Sequence, residues 1–306
     1  MKLCAKLLCL LVTLLLLLPL CLSSCGAESP ELPDGMAVDG SEALPFENKL
    51  FYSLAKAEGK LDLVMFRVGH ADAMLVSTQN YNILIDTGER NDDDAKKILA
   101  YLETQNITHL DAVIVSNLLT DNIGGLEQIA DSVTIDRVIE PAYNPTGHRY
   151  TKYLRIVTKT GAELLSLTKE TEFVYDDLTI RCYPAKNPQI YQTEDDMSLV
   201  LTLTHGTNTF LFTSTIGEAR LGEVMQTLSD PVTVVKMPNH GVWFEGVEDF
   251  LTQYAPKYAL ISDSLQHEVS YDMLSLLADR NITYYRTKEA YICIRSDGKR
   301  LNIEQN

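Results

Sequence analysis

The stretch Val115-Ser116-Asn117-Leu118-Leu119-Thr120-Asp121-Asn122-Ile123-Gly124-Gly125 decides how the rest of this chain is read. The apolar run that leads into it, Ala112-Val-Ile-Val115, reads as a short buried strand. Gly124-Gly125 lets the backbone turn tightly into a helix over residues 126–130. Asp121 stands where a carboxylate can cap that helix. The loop thus joins strand to helix, with amides at Asn117 and Asn122 and an apolar Leu119 between them.

Upstream, Leu63-Val-Met-Phe66, Ala73-Met-Leu-Val76 and Tyr81-Asn-Ile-Leu-Ile85 are short segments parted by turn residues, as in the start of an antiparallel sheet. Between them and the loop, Ala95, Ile98, Leu99 and Leu102 recur at helical spacing behind the acidic run Asn91-Asp-Asp-Asp94, which suits a helix N-terminus. Downstream, Ser198-Leu-Val-Leu-Thr-Leu203 and Thr209-Phe-Leu-Phe-Thr213 flank a hairpin turn. A helix (219–228), a strand (232–235), a helix around Phe250, a strand (258–261), a helix (273–277) and a last strand (291–294) follow. This order predicts an α+β architecture of two stacked sheets with helices outside, an αββα four-layer sandwich.

The N-terminus is separate from that domain. Lys2 and Lys6 precede an apolar run of 16 residues, Leu7 to Leu22, that ends in Leu22-Ser23-Ser24-Cys25. A basic start, an apolar core and small residues before a cut describe a signal peptide over residues 1–24. The run falls short of the ~20 residues a membrane-spanning helix needs. Leu-Ser-Ser-Cys is similar to the bacterial lipobox, which makes Cys25 the expected lipidated first residue of the exported chain, held at the outer face of the cytoplasmic membrane. Residues 25–57, rich in Pro, Gly, Ser and acids, read as a flexible tether. Residues 58–306 are enough for one large domain.

With 26 Lys and Arg against 42 Asp and Glu, the formal charge is −16, and −18 once Lys2 and Lys6 are removed. Such a chain has no footprint for phosphate backbones, so direct nucleic-acid binding is disfavoured. Cys182 and Cys293 are the domain's cysteines; each sits among alternating apolar residues, which suits a buried thiol, although export permits a disulfide.

The opening loop resembles the metal loop of the metallo-β-lactamase superfamily, T-H-x-H-x-D-H-x-G-G, with Asn117, Leu119 and Asn122 at the three histidine positions. The resemblance is closest to the soluble domain of the competence protein ComEC and runs from about residue 60 to 303. The block F-L-D-V-G-Q-G-D-A-x-L-I is similar to Phe66-Arg67-Val-Gly69-His70-Ala71-Asp72-Ala-Met-Leu-Val, and N-x-L-I-D-T-G to Asn82-Ile-Leu-Ile-Asp86-Thr87-Gly88. N-D-x-S-L-V-L corresponds to Asp195-Asp196-Met-Ser198-Leu-Val-Leu, and a strand ending in L-L-T-G-D to Leu211-Phe-Thr213-Ser214-Thr215. The H-H-G-S block reads Asn239-His240-Gly241-Val242, and His267 falls where relatives carry a G-H-P histidine.

The resemblance implies a hydrolytic centre in which imidazoles and carboxylates hold one or two metal ions that acidify a water. Here Asp121, His240 and His267 are the surviving ligand types, while Thr215 and Asn239 replace others. The implied protein is therefore a pseudo-hydrolase with no catalytic residues and no cofactor, whose old cleft binds a small molecule or a protein at the cell surface. The alternative is a phosphodiesterase-like hydrolase in which Asp121, His240, His267 and an acid such as Asp195 hold zinc or manganese. Asp86 in its D-T-G turn is expected to hold backbone NH groups. Trp243, the chain's single tryptophan, suits ligand stacking at the cleft mouth or core packing equally. His70, His109, His148 and His205 show no mutual spacing and are expected at surfaces or turns.

Overall fold

Successive strand residues point to opposite faces of a sheet, and in this chain both faces are apolar. Leu61, Leu63 and Met65 pack in one core while Val64 and Phe66 pack in another. Leu84 and Val113 likewise part from Ile83, Ile85, Ala112 and Ile114, and Leu211 and Val235 from Phe210, Phe212 and Val234. Strands buried on both faces need three cores and therefore four layers. A computed structural model describes residues 58–305 apart from 91 and 144. The leader, Cys25 and the tether fall outside the described residues.

The first sheet has eight strands in the order Leu301–Gln305, Ile292–Ser296, Leu61–Met65, Met74–Ser77, Asn82–Ile85, Ala112–Ile114, Arg137–Pro141 and Glu163–Leu167. Its pairings are antiparallel as far as Asn82–Ile85 and parallel beyond. The second has seven, in the order Thr283–Arg286, Tyr258–Ile261, Val234–Lys236, Asn208–Phe212, Val200–His205, Leu178–Tyr183 and Thr171–Tyr175. The helices are α1 (Asp92–Thr104), α2 (Thr120–Ile123), α3 (Leu126–Ser132), α4 (His148–Thr160), α5 (Glu218–Thr227), α6 (Val247–Tyr254) and α7 (Tyr271–Asp279). Ile98, Leu102, Ile129, Tyr153 and Val157 from α1, α3 and α4 cover the outer face of the first sheet. Leu221, Phe250, Tyr254, Met273 and Leu277 from α5, α6 and α7 cover that of the second. The middle core is shared by both sheets, and the αββα expectation holds.

Three expectations are corrected. The strand Ile292–Ser296 is not the last: Leu301–Gln305 pairs with it at the sheet edge, its alternation of Leu301 and Ile303 with Asn302 and Glu304 muted by exposure. Asp121 does not cap the helix after the loop, because a separate turn, α2, intervenes and Gly125 occupies the N-cap of α3. Gly124 has φ −62° and Gly125 φ −84°, so their requirement is space rather than torsion. Cys182 lies in the middle core and Cys293 against the helical layer of the first sheet, both as free thiols pushed up to about 12 by burial.

A Cβ on Gly124 would lie 2.1 Å from the backbone nitrogen of Arg90, and one on Gly125 2.3 Å from the carbonyl oxygen of Thr87. Backbone cannot give way as a side chain can. Gly124→Ala is therefore expected to cost ~3 kcal/mol or more in urea unfolding, whereas Gly222→Ala, in open space within α5, stabilises by about 1 kcal/mol.

Candidate functional site

Parallel strands of both sheets end at one rim, which is where open α/β sheets place their sites. Asp86 follows Asn82–Ile85, Ser116 follows Ala112–Ile114, Ser214 follows Asn208–Phe212, Lys236 closes its own strand, and Ser262 and Asp263 follow Tyr258–Ile261. Four non-glycine residues here hold left-handed backbone: Asp86 (φ 57°), Ser214 (51°), Asn239 (44°) and His240 (54°). Clustered strain of this kind persists only where surrounding contacts over-determine it.

Those contacts are polar and buried. The Asp86 carboxylate accepts from the Ser116 amide at 2.7 Å, the Ser116 hydroxyl at 2.6 Å and Asn122 Nδ2 at 3.1 Å. Ser116 Oγ also lies 2.6 Å from Ser214 Oγ, which joins the two sheets. Burial, then the Asp72 charge, pushes Asp86 up to about 8 against the pull of these donors.

Asn117 uses its whole amide. Its Nδ2 donates to the Glu194 carbonyl at 2.7 Å and to Ser198 Oγ at 2.8 Å, and its Oδ1 accepts from the Leu119 amide at 2.9 Å and Tyr143 Oη at 3.0 Å. Thr215 Oγ1 lies 3.3 Å from Ser198 Oγ, and Asp195, raised by burial and opposed by a bond from Thr215, sits beside them.

Lys236 is the charge at the centre. Its Nζ lies 2.5 Å from Asp72 Oδ2 and 3.0 Å from the Ser214 carbonyl, with both charged side chains fully buried. Burial alone would raise the Asp72 carboxyl; the ammonium outweighs it and holds the group below its ordinary value. His240 Nδ1 meets Ser262 Oγ at 2.8 Å and stands 3.9 Å from Asp72 Oδ1, while its Nε2 stands 3.9 Å from Asp121 Oδ2. Burial, with Lys236, pushes His240 down to about 3. Burial, then the Asp72 charge, lifts Asp121 to about 6. The His70 ring centroid is 3.9 Å from that of His240 and 4.9 Å from that of His267, and burial followed by its neighbours' charge lowers His70 as well.

The structure thus gathers Asp86, Asn117, Asp121, Asn122, Thr215 and His240, with His267 over His70 on an exposed loop. Leu119 and Asn239 contribute backbone to the turns around them. Trp243 is 47% exposed on the loop after His240, so core packing is excluded for it. His70, expected at a surface or turn, is half-buried in a bend and is the middle imidazole of three. His205, for which the same was expected, is buried at a strand end, bridging Ser296 and Asp177. Sequence reasoning passed over Lys236 and Asp72, and the available signal was a cation closing an otherwise apolar strand.

No family model matches the chain. The chain is 24% identical to ComE operon protein 3 of Bacillus subtilis (strain 168) over 78% of its own length, and it spans about a third of that relative, 33%. Among solved structures it is similar to the metallo-β-lactamase fold protein YhfI from Bacillus subtilis, with 12% identity, a TM-score of 0.52 and coverage of 74% of this chain and 95% of that one. It is also similar to CmlA, a diiron β-hydroxylase from Streptomyces venezuelae, with 13% identity, a TM-score of 0.50 and coverage of 76% and 53%. The fold is that of the metallo-β-lactamase superfamily, and the sequence is ComEC-like.

The ComEC-like loop does not carry the donor set of a two-metal centre. Leu119 has no donor atom, the Asn117 oxygen is already spoken for by two hydrogen bonds, and Asn122 turns its amide nitrogen onto Asp86 and Ser116, which leaves its buried Oδ1 without a partner. Among the described residues, the three metal-ligating side chains whose donor atoms all lie within 4.8 Å of one another are His109, Asp111 and Asp136. These sit at the opposite end of the Ala112–Ile114 strand, so Asp121, His240 and His267 do not share a common point.

Two measurements check this electrostatic frame. Removing one member of a buried pair strands the other, so Lys236→Met is expected to cost about 3–5 kcal/mol, and adding Asp72→Asn to restore much of it in a double-mutant cycle. The native state keeps a proton on Asp86 that the unfolded chain has released from about pH 4 upward, so stability falls as pH rises from about 4 through 8. Melting curves of Asp86→Asn across that window are expected to lack this decline.

Proposed function

We propose that this protein is an exported, lipid-anchored binding protein built on a ComEC-like metallo-β-lactamase fold, in which the metal centre has been turned into a structural polar core. The observation that carries the reading is Asn117, whose amide satisfies four partners from three segments of the chain. An imidazole has two ring nitrogens and cannot replace that pattern. The first histidine position has therefore acquired a new structural task. At the third, Asn122 bonds Asp86 and Ser116 through its nitrogen alone, its Oδ1 being buried without a partner.

In this reading the ligand is a small molecule or protein met at the cell surface, and Trp243 with Val242 supplies exposed apolar contact beside the imidazoles. Cys25 carries the lipid. No helix among the described residues is long and apolar enough to cross a membrane. The acidic chain disfavours direct contact with nucleic acid.

One observation favours a second reading, a metal-dependent hydrolase. His70 Nδ1 and Asp72 Oδ1 are buried without a hydrogen-bond partner, next to His240 and close to Asp121. Neutral imidazoles so arranged are competent donors for zinc or manganese if His267 swings inward.

Elemental analysis of the purified protein, with turnover of bis(4-nitrophenyl) phosphate in added zinc or manganese, separates the two. Metal well below one equivalent and hydrolysis at the buffer rate are the expected results. Stoichiometric metal, with turnover abolished by Asp121→Ala, would establish the second reading instead. Because Trp243 is the only tryptophan, its emission reports directly on any ligand that enters the mouth of this cleft.

A further inference from the structure

The loop that lost its histidines has a second face. Asp121 points toward His240, but Thr120, Ile123 and Gly124 on the other side of α2 form one wall of an open cavity of about 200 Å³. Its remaining lining is Arg90, Glu127, His148, Arg149, Lys152, Tyr153 and Ile156. The chain as a whole carries 42 acids to 26 Lys and Arg, yet here three permanent cations and a histidine face Glu127, with Glu194 behind Arg149 as the second acid.

The cations are fixed in place rather than cancelled. Lys152 pairs with Glu127 and Arg149 with Glu194, which anchors both stems while leaving their other donors free to turn to a ligand. Arg149 Nε is buried with no hydrogen-bond partner. His148, Arg149 and Lys152 also lie at the N-terminal end of α4, whose first turn holds no acid and whose cap, Gly147, offers no side-chain bond. Cations at the positive end of a helix dipole are unfavourable unless an anion is held there. Ile123, the Tyr153 ring and Ile156 make the rest of the wall apolar.

We infer that this cavity is a second ligand site, for a small phosphorylated or phosphonylated molecule with an apolar substituent: the anionic head meets Arg90, His148, Arg149 and Lys152, and the substituent lies on Ile123, Tyr153 and Ile156. The site is independent of whether the imidazole cleft binds metal.

Calorimetric titration of the purified full-length mature protein with phenylphosphonate, whose C–P bond no phosphodiesterase cleaves, tests it, with inorganic phosphate as the comparison. Saturable binding at least tenfold tighter than that of phosphate is expected, weakening with added salt. Arg90→Glu, at an exposed position, and Lys152→Gln, which removes the ammonium without setting a second carboxylate against Glu127, are each expected to weaken it at least tenfold in proteins that still unfold cooperatively. Ile156→Asp should abolish the preference over phosphate. Trp243→Ala should leave binding as it was. Absence of saturable binding at millimolar ligand overturns the inference. So does binding that survives Arg90→Glu and Ile156→Asp, or that is lost in Trp243→Ala, since the anion would then occupy the imidazole cleft.

Discussion

Everything at the rim depends on one buried charge pair. Lys236 ends a strand of the second sheet and Asp72 lies in the loop that leaves the first, 164 residues away, and they meet with almost no solvent. Two charges taken out of water have no cheap alternative to each other, so the pair fixes the distance between the two sheet edges. Its effects spread through the neighbours. Lys236 keeps Ser214 in its left-handed turn through the carbonyl bond, and it pushes His240 toward the neutral form. The Asp72 charge opposes ionisation of Asp86 and Asp121. Ser116 Oγ, bonded to both Asp86 and Ser214, is the second tie between the sheets.

Asn117 cross-links the loop that carries it. It joins that loop to the turn around Glu194 and Ser198 and to Tyr143, with bonds of 2.7–3.0 Å. The close approach of Gly124 to Arg90 and of Gly125 to Thr87 clamps the loop from its far end.

The four-layer fold was legible because its strands carry apolar residues on both faces and its helices on one, a pattern that survives without knowledge of any partner. The altered ligand positions were legible too, since each stands in a fixed frame such as Asn239-His240-Gly241. Pairings across long separations were not. Nothing local to His70 announces that its ring will stack between His240 and His267. Asp72 and Lys236 each read as an isolated charge in an apolar setting, and only the packing of the two sheets makes them one unit. For the segment from 134 to 186 no strand or helix was assigned, α4 included, although Cys182 read as a buried thiol and His148 as a surface or turn residue. Its helix has buried Tyr153 and Val157 four residues apart, but basic and hydroxyl side chains around them dilute the stripe.

That dilution has a structural meaning. Of the polar residues that obscure α4 as an amphipathic helix, His148, Arg149 and Lys152 line the cavity behind the loop. Arg149 reaches Glu194, whose carbonyl is also a partner of Asn117. Glu194 thus contacts both the cavity's Arg149 and the loop's Asn117. The two faces of the loop present opposite chemistry, imidazole and carboxylate on one side and guanidinium and ammonium on the other.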